Sequence, residues 1–198
     1  MEKKDYVIEP RLPRVLILPE PFERLKLYIE LCPWEVSGLG IVDQVENDFV
    51  IRDIFITRQW NYSAFTEMYP EDLSRVLIEM VKEGKDPNQI KLWWHSHAGM
   101  DVFWSQIDDY TSRNLGQYLI SLVGNKAGKF RCRLDVSEPV RLTVDNLSFE
   151  VNDGHPASID HGRLRHEVEK EIWEKVQSLN EKWEGFGELH DEHCTHDD

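Results

Sequence analysis

Two hydrophobic periods alternate along the chain, and each change of period marks an element. Phe22, Leu25, Ile29 and Cys32 recur at spacings of three, four and three, an apolar helix face that Pro33 ends. Before it, Val15 to Leu18 predicts an edge strand in a segment otherwise kept irregular by Pro10, Pro13, Pro19 and Pro21. Leu39 to Glu46 and Phe49 to Thr57 predict two strands that turn at Asn47-Asp48. From Arg58 to Pro70 no period holds. With Trp60, Tyr62, Phe65 and Tyr69 this stretch reads as an aromatic loop, either an interaction surface or a flap folded over the core.

The helical period returns at Leu73, Val76, Leu77, Met80 and Val81, with Gly84 positioned to cap the helix. Gln89 to Trp94 and Tyr118 to Val123 predict short strands, with a helix from Ser105 to Gly116 between them. Phe130, Cys132, Leu134 and Val136 alternate with Arg131, Arg133 and Asp135, which predicts a strand with one buried and one polar face. Arg141 to Val151 adds one or two strands broken at Asp145-Asn146, and Leu164, Val168, Ile172, Val176, Leu179 and Trp183 predict a last helix over residues 161–184. The fold class is α/β of the mixed α+β kind: a mixed sheet flanked by helices, one domain over residues 1–184. Residues 185–198 contain no Lys or Arg and predict a disordered acidic tail. Its His190, His193, Cys194 and His196 read as adventitious metal capture, because no ordered framework surrounds them.

Composition narrows the function. The 198 residues carry 23 Lys and Arg against 37 Asp and Glu, a net charge of -14 that repels phosphate backbones and argues against nucleic acid. No apolar stretch approaches the ~20 residues of a membrane span, and the opening residues lack a signal-peptide core, so a soluble, cytoplasmic protein is expected. Cys32, Cys132 and Cys194 form no C-x-x-C pair, which leaves neither a disulfide framework nor a cysteine zinc knuckle. A chain of this length buries a core unaided, so a metal would be present for chemistry.

The chemistry concentrates in residues 93–109. His95 and His97 stand two apart at the end of a predicted strand, so alternation sends both imidazoles to one side, where they can grip one divalent metal. Asp108 supplies a third donor, because Ser105-x-x-Asp108 opens a helix after the intervening loop. A His/His/Asp set leaves one position of a tetrahedral zinc open to water, the mark of a catalytic site. Each part alone has a plainer reading: the histidines as core or surface residues, Ser105 and Asp108 as a capping box, Glu35 as a surface carboxylate. Their joint arrangement is what chance does not readily produce. Phe103 or Trp104 is expected to border a substrate groove, and Trp94 to pack in the core. Asp101 reads either as the partner of a histidine ring nitrogen or as an exposed loop aspartate.

His95-Ser96-His97, seven residues, then Ser105-Gln106-Ile107-Asp108 resembles the zinc motif of the JAMM, or MPN-plus (JAB/MPN/Mov34), metalloprotease family, in its stand-alone prokaryotic form. The resemblance implies an MPN, cytidine-deaminase-like fold and one catalytic Zn²⁺ on His95, His97 and Asp108. It also implies a catalytic glutamate far upstream in an E-x-x-G context, which here reads Glu35-Val36-Ser37-Gly38. In the roles it implies, Glu35 accepts the proton of activated water and passes it to the leaving amine, while Ser105 donates to the oxyanion.

The implied activity is that of a hydrolase: a zinc peptidase or isopeptidase, deubiquitinase-like, cutting after the C-terminal glycine of a ubiquitin-like or sulfur-carrier protein. Such a glycine-rich tail can lie along a strand edge. A homodimer is a further expectation. Two other readings stay open, a non-catalytic MPN scaffold that binds partners and a zinc amidase acting on a small molecule. Scaffold members typically lack part of the ligand set that this chain keeps. An elongated groove would favour a protein substrate, and a closed pocket a small one.

Overall fold

The computed structural model describes residues 11–61, 66–113, 115–152 and 158–178. Strand β1 (Val15–Ile17) leads into helix α1 (Pro19–Leu31), followed by β2 (Ser37–Val45), β3 (Asp48–Phe55), β4 (Gln59–Asn61) and β5 (Thr66–Met68). Helix α2 (Pro70–Lys82), β6 (Ile90–Ser96), α3 (Gln106–Arg113), β7 (Tyr118–Gly124) and β8 (Phe130–Val136) come next. The chain continues through β9 (Leu142–Val144), β10 (Phe149–Val151), α4 (His161–Lys175) and β11 (Val176–Ser178). Among the described residues, eight strands form one sheet in the order β10-β1-β3-β2-β6-β7-β8-β9, and β11-β4-β5 form a second. The mixed α/β class follows, as the patterns predict.

Helices α1 and α4 cover one face of the large sheet, where Leu25, Tyr28, Val168 and Ile172 join Ile51, Leu92 and Trp94 in the main core. Trp94 is fully buried and stacks on Tyr28 with ring centroids 5.5 Å apart. Strand alternation turns Trp93 the other way, into a smaller cluster with Leu39 and Leu119 against which Leu73 of α2 packs. That second layer is the one the site occupies.

The structure corrects several local expectations. Strand β1 is interior, paired in parallel with both β3 and β10; its neighbour β10 arrives about 130 residues later, which no local pattern reveals. Helix α1 starts at Pro19 rather than Phe22, because the first helical turn needs no N–H bond and proline's fixed φ suits it. The hairpin turns at Glu46-Asn47, with Glu46 at φ 55°, while Asp48 opens β3 and accepts hydrogen bonds from Arg11 and Arg14. The aromatic stretch contains β4 and β5, strands of three residues too short to print a period; Tyr62 and Phe65 lie outside the described residues. Helix α4 ends at Lys175, and Val176 enters β11 alongside β4. Leu179, Trp183 and residues 185–198, with their histidines, also lie outside the described residues. Arg133 and Asp135, expected on a polar face of β8, are buried beneath α3.

Gly38 on β2 marks the tightest approach in the sheet. A Cβ there would sit 2.3 Å from the Phe55 carbonyl oxygen and 2.7 Å from the Trp94 ring. The E-x-x-G spacing thus has a packing cause: β2 admits no side chain between β3 and Trp94. Gly38→Ala should cost roughly 1–3 kcal/mol through overpacking, read from the urea midpoint; an unchanged midpoint would show that the backbone yields freely.

Candidate metal centre and its cleft

Strand β6 fixes the two histidines. His95 lies opposite Ser37 of β2 and beside Val123 of β7, so it sits inside the sheet with neighbours on both sides. His97 follows just beyond the strand, its N–H bonded to the Gly124 carbonyl at 2.9 Å. Ala98 then takes φ 44° and turns the chain away. Asn125 Nδ2 donates to the Met100 carbonyl at 2.8 Å and ties the loop to the β7–β8 turn.

Three donors converge. His95 Nε2 is 3.2 Å from His97 Nε2 and 3.3 Å from Asp108 Oδ1, and His97 Nε2 is 3.8 Å from Asp108 Oδ2. With metal–nitrogen bonds of ~2.0–2.1 Å, tetrahedral ligand atoms stand ~3.3 Å apart, so the spacing fits a zinc-sized ion. The tautomer of His97 fits as well: its Nδ1 faces the Asp101 carbonyl at 2.9 Å, so Nδ1 carries the proton and Nε2 offers its lone pair. His95 is oriented by stacking on Trp93, centroids 4.6 Å apart and planes 20° apart. All three side chains are buried, and together they can hold one metal ion.

Asp108 is placed by reciprocal capping. The Ser105 N–H donates to Asp108 Oδ2 at 2.7 Å, and the Asp108 N–H donates to Ser105 Oγ at 3.1 Å. The hydroxyl thus caps as an acceptor and keeps its own proton free. Beneath the helix, Arg133, 4% exposed, donates to Asp135 at 2.8 Å, to Asp109 at 2.6 Å and to Ser112 Oγ at 2.9 Å. This buried guanidinium fastens the first two turns of α3 to β8. The sequence hid it, since two of its three partners lie 21 and 24 residues away on another element.

Glu35, 5% exposed, precedes β2 and lines a cleft of about 290 Å³ together with His95 and Asp108. Burial pushes its carboxyl up to about 7; the charge on His97 opposes this and that on Asp108 adds to it. Burial also acts to raise Asp108, but hydrogen bonds from His95 and His97, the His95 charge and the Ser105 N–H overcome it and hold that carboxyl far below its usual range. Burial lowers His95 despite its bond to Asp108. His97 is raised, since Asp108, the Asp101 carbonyl and Glu35 outweigh the burial that lowers it. The remaining cleft wall comes from Thr66–Pro70 and Leu73 on one side and Ile107, Thr111 and Leu115 on the other.

Sequence expectations fare unequally here. Glu35, His95 and Asp108 meet in one cleft, and Ser105 stands against Asp108. Phe103 is 44% exposed and meets the His97 ring edge-on at 4.5 Å, outside the cleft lining. Trp104 is not among the residues lining this cleft; its ring lies 6.0 Å from that of His95, its Nε1 donates to Asp145 at 3.1 Å and the Arg133 guanidinium lies 4.1 Å from its ring. Asp101 satisfies both of its readings, with a carbonyl on His97 and an exposed carboxylate paired to Lys129. Ser96 was missed. Alternation turns it to the core side, where its Oγ accepts from the Val36 N–H at 3.0 Å and ties the Glu35 segment to β6.

No family model matches the chain. Over 167 residues it is 26% identical to the 26S proteasome regulatory subunit rpn11 of Schizosaccharomyces pombe, covering 75% of this chain and 54% of that subunit. The chain thus spans about half the length of this curated relative. Its fold resembles the solution structure of protein DSY2949 from Desulfitobacterium hafniense, with a TM-score of 0.55, 14% identity, and coverage of 74% of this chain and 97% of that one. The likeness to the proteasomal subunit supports the MPN/JAMM superfamily to which the motif points. Among the described residues no helix is long and apolar enough to cross a membrane.

The raised Glu35 carboxyl has a measurable consequence. From about pH 4.5 to about 7 the folded metal-free chain holds a proton on Glu35 that the unfolded chain releases, so this group's contribution to stability falls as pH rises. Glu35→Gln removes that dependence. In chelator, its stability gain over wild type should grow across this window and level off above it; a gap independent of pH in urea titrations would show that Glu35 is not shifted.

Proposed function

We propose that this chain is a zinc-dependent peptidase or isopeptidase of the JAMM type, acting on the bond after the C-terminal glycine of a ubiquitin-like or sulfur-carrier protein. The observation that carries the reading is that a buried carboxylate outside the donor set, Glu35, lines the same cleft as His95 and Asp108. His95, His97 and Asp108 would hold the zinc, which when bound supplies Lewis acidity and a water of lowered pKa. Glu35, a buried carboxylate in the same cleft and outside the donor set, suits a group that first accepts that water's proton and then delivers it to the departing amine. Ser105 Oγ, whose proton the cap leaves free, would donate to the oxyanion developing on the scissile carbonyl.

A peptide substrate is favoured over a small amide by the cleft wall. β5 ends the order β11-β4-β5, so one of its edges has no strand partner among the described residues, and all of Thr66–Met68 lines the cleft. An extended tail pairing there gains main-chain hydrogen bonds that a small molecule cannot make. A scaffold needs no buried base; retaining Glu35 beside a complete donor set favours catalysis.

Substitution separates the roles. Glu35→Gln should keep zinc at the wild-type level and lose at least ~100-fold in turnover of a ubiquitin-like protein carrying an aminocoumarin on its terminal glycine. Asp108→Asn should lose metal and activity together, as elemental analysis would reveal. Full turnover by Glu35→Gln would dismiss it as the base, and a zinc-loaded wild type inert toward every ubiquitin-like probe would favour the scaffold.

Ser105→Ala tests the oxyanion role apart from capping. Loss of the cap alone costs ~1 kcal/mol of stability, whereas loss of the donor should slow turnover ~10–1000-fold. A lowered melting temperature with unchanged turnover would leave only the cap.

A further inference from the structure

Strand β4 contributes no residue to the donor set or to the cleft lining, yet two of its three side chains are polar and wholly buried: Gln59 and Asn61, each 0% exposed. Burying an amide is costly unless its bonds are made. Both side chains spend theirs on the segment that carries Glu35. The Ser37 N–H donates to Gln59 Oε1 at 2.9 Å, and Gln59 Nε2 donates back to the Ser37 carbonyl at 2.8 Å and to Thr57 O at 3.2 Å. The Gln59 amide therefore stands in for a peptide unit and pairs with Ser37 as a neighbouring strand would. Asn61 Nδ2 donates to the Glu35 carbonyl, while its Oδ1 meets no donor among the described residues. Asn61 thus commits its amide nitrogen to that carbonyl and to Cys32 Sγ, 3.6 Å away.

From the opposite side, Ser96 takes both groups of Val36: its Oγ accepts the Val36 N–H at 3.0 Å and its N–H donates to the Val36 carbonyl at 2.8 Å. The main-chain groups from the Glu35 carbonyl to the Ser37 carbonyl are thereby all bonded, and on the β4 side only by side-chain amides. A strand pairing through peptide groups could slide by a register step; side-chain amides admit one position. We infer that Gln59 and Asn61 are positioning residues for Glu35, fixing the backbone from which its carboxylate reaches into the cleft.

This inference rests on the reading of Glu35 as the base, and the test separates the two. Gln59→Leu keeps size and removes both Ser37 bonds. Wild-type, Gln59→Leu, Glu35→Gln and the double variant form a cycle, assayed with the aminocoumarin probe and with zinc affinity by chelator competition. Gln59→Leu should lower kcat by about 10- to 100-fold, as expected for a misplaced catalytic group, with KM and zinc affinity unchanged. In the Glu35→Gln background the same change should cost nothing more. Losses that multiply in the double variant would overturn the inference, because Gln59 would then act on something other than Glu35.

Amide hydrogen exchange gives a readout free of activity. Gln59→Leu should speed exchange at Ser37 while Trp94 and His95 on β6 stay protected; unaltered exchange at Ser37 would also overturn it. If Gln59→Leu fails to fold, Asn61→Leu removes the single donor to Glu35 O and enters the same cycle with the same two outcomes. A wild type that cleaves no probe refutes the peptidase reading, and the exchange arm still decides whether β4 holds the Glu35 segment.

Discussion

Three electron-rich atoms crowded into a buried space govern the rest of this molecule. Two imidazole nitrogens 3.2 Å apart, with a carboxylate oxygen 3.3 Å from one of them, repel one another unless a proton or a cation stands among them. Bulk solvent screens the repulsion little, because the three side chains are buried. The protonation pattern follows from this constraint. Asp108 is held far into its ionised range, His97 is drawn toward its cation and His95 is pushed toward neutrality. Glu35, in the same cleft, is pushed up to about 7, chiefly by its burial. A divalent ion among the donors would satisfy all three and turn its field on Glu35, favouring the carboxylate.

Such crowding needs a rigid frame, and the frame comes from two directions. His95 rides a strand with partners on both sides, and His97 is anchored through its N–H to the end of the next strand. Asp108 comes from a helix, a separate body that must be fastened. Capping by Ser105 fixes its first turn, and Arg133 bonds Asp109 and Ser112 one and four residues further on. A buried arginine is a poor source of net stability. Its geometry here, five donors in a fixed fork, suits it to hold a helix in one register.

What the sequence made legible was local. His95 and His97 are two residues apart, and Ser105 and Asp108 three, so strand alternation and a capping box bring each pair together without tertiary information. The short loop between them lets the two pairs be read as one set, but that Glu35 joins them required the family resemblance, since 60 residues separate Glu35 from His95. The polar residues of the frame stayed hidden. Arg133 sits in a strand whose alternation reads as buried apolar against exposed polar, Ser96 lies just past the predicted strand Gln89 to Trp94, and Gln59 and Asn61 fall in the stretch read as an aromatic loop; each is a buried polar side chain with a partner on another element. The interior place of β1 and the split of the aromatic stretch into β4 and β5 escaped likewise, because long-range pairing leaves no periodic trace in three residues.

The cost of this arrangement bears on the choice between catalyst and scaffold. A fold selected only for its surface would gain by replacing Glu35, whose burial raises its carboxyl to about 7, with an apolar residue of similar size. It would gain again by replacing Asn61, whose Oδ1 meets no donor among the described residues. Both fall on the same short stretch of backbone, which is held by side chains from two separate strands, β4 and β6. Local destabilisation so concentrated, and so closely braced, is what a working carboxylate requires, because it must be poorly solvated to exchange a proton near neutral pH and immobile enough to do so at one atom. Binding a partner asks for neither.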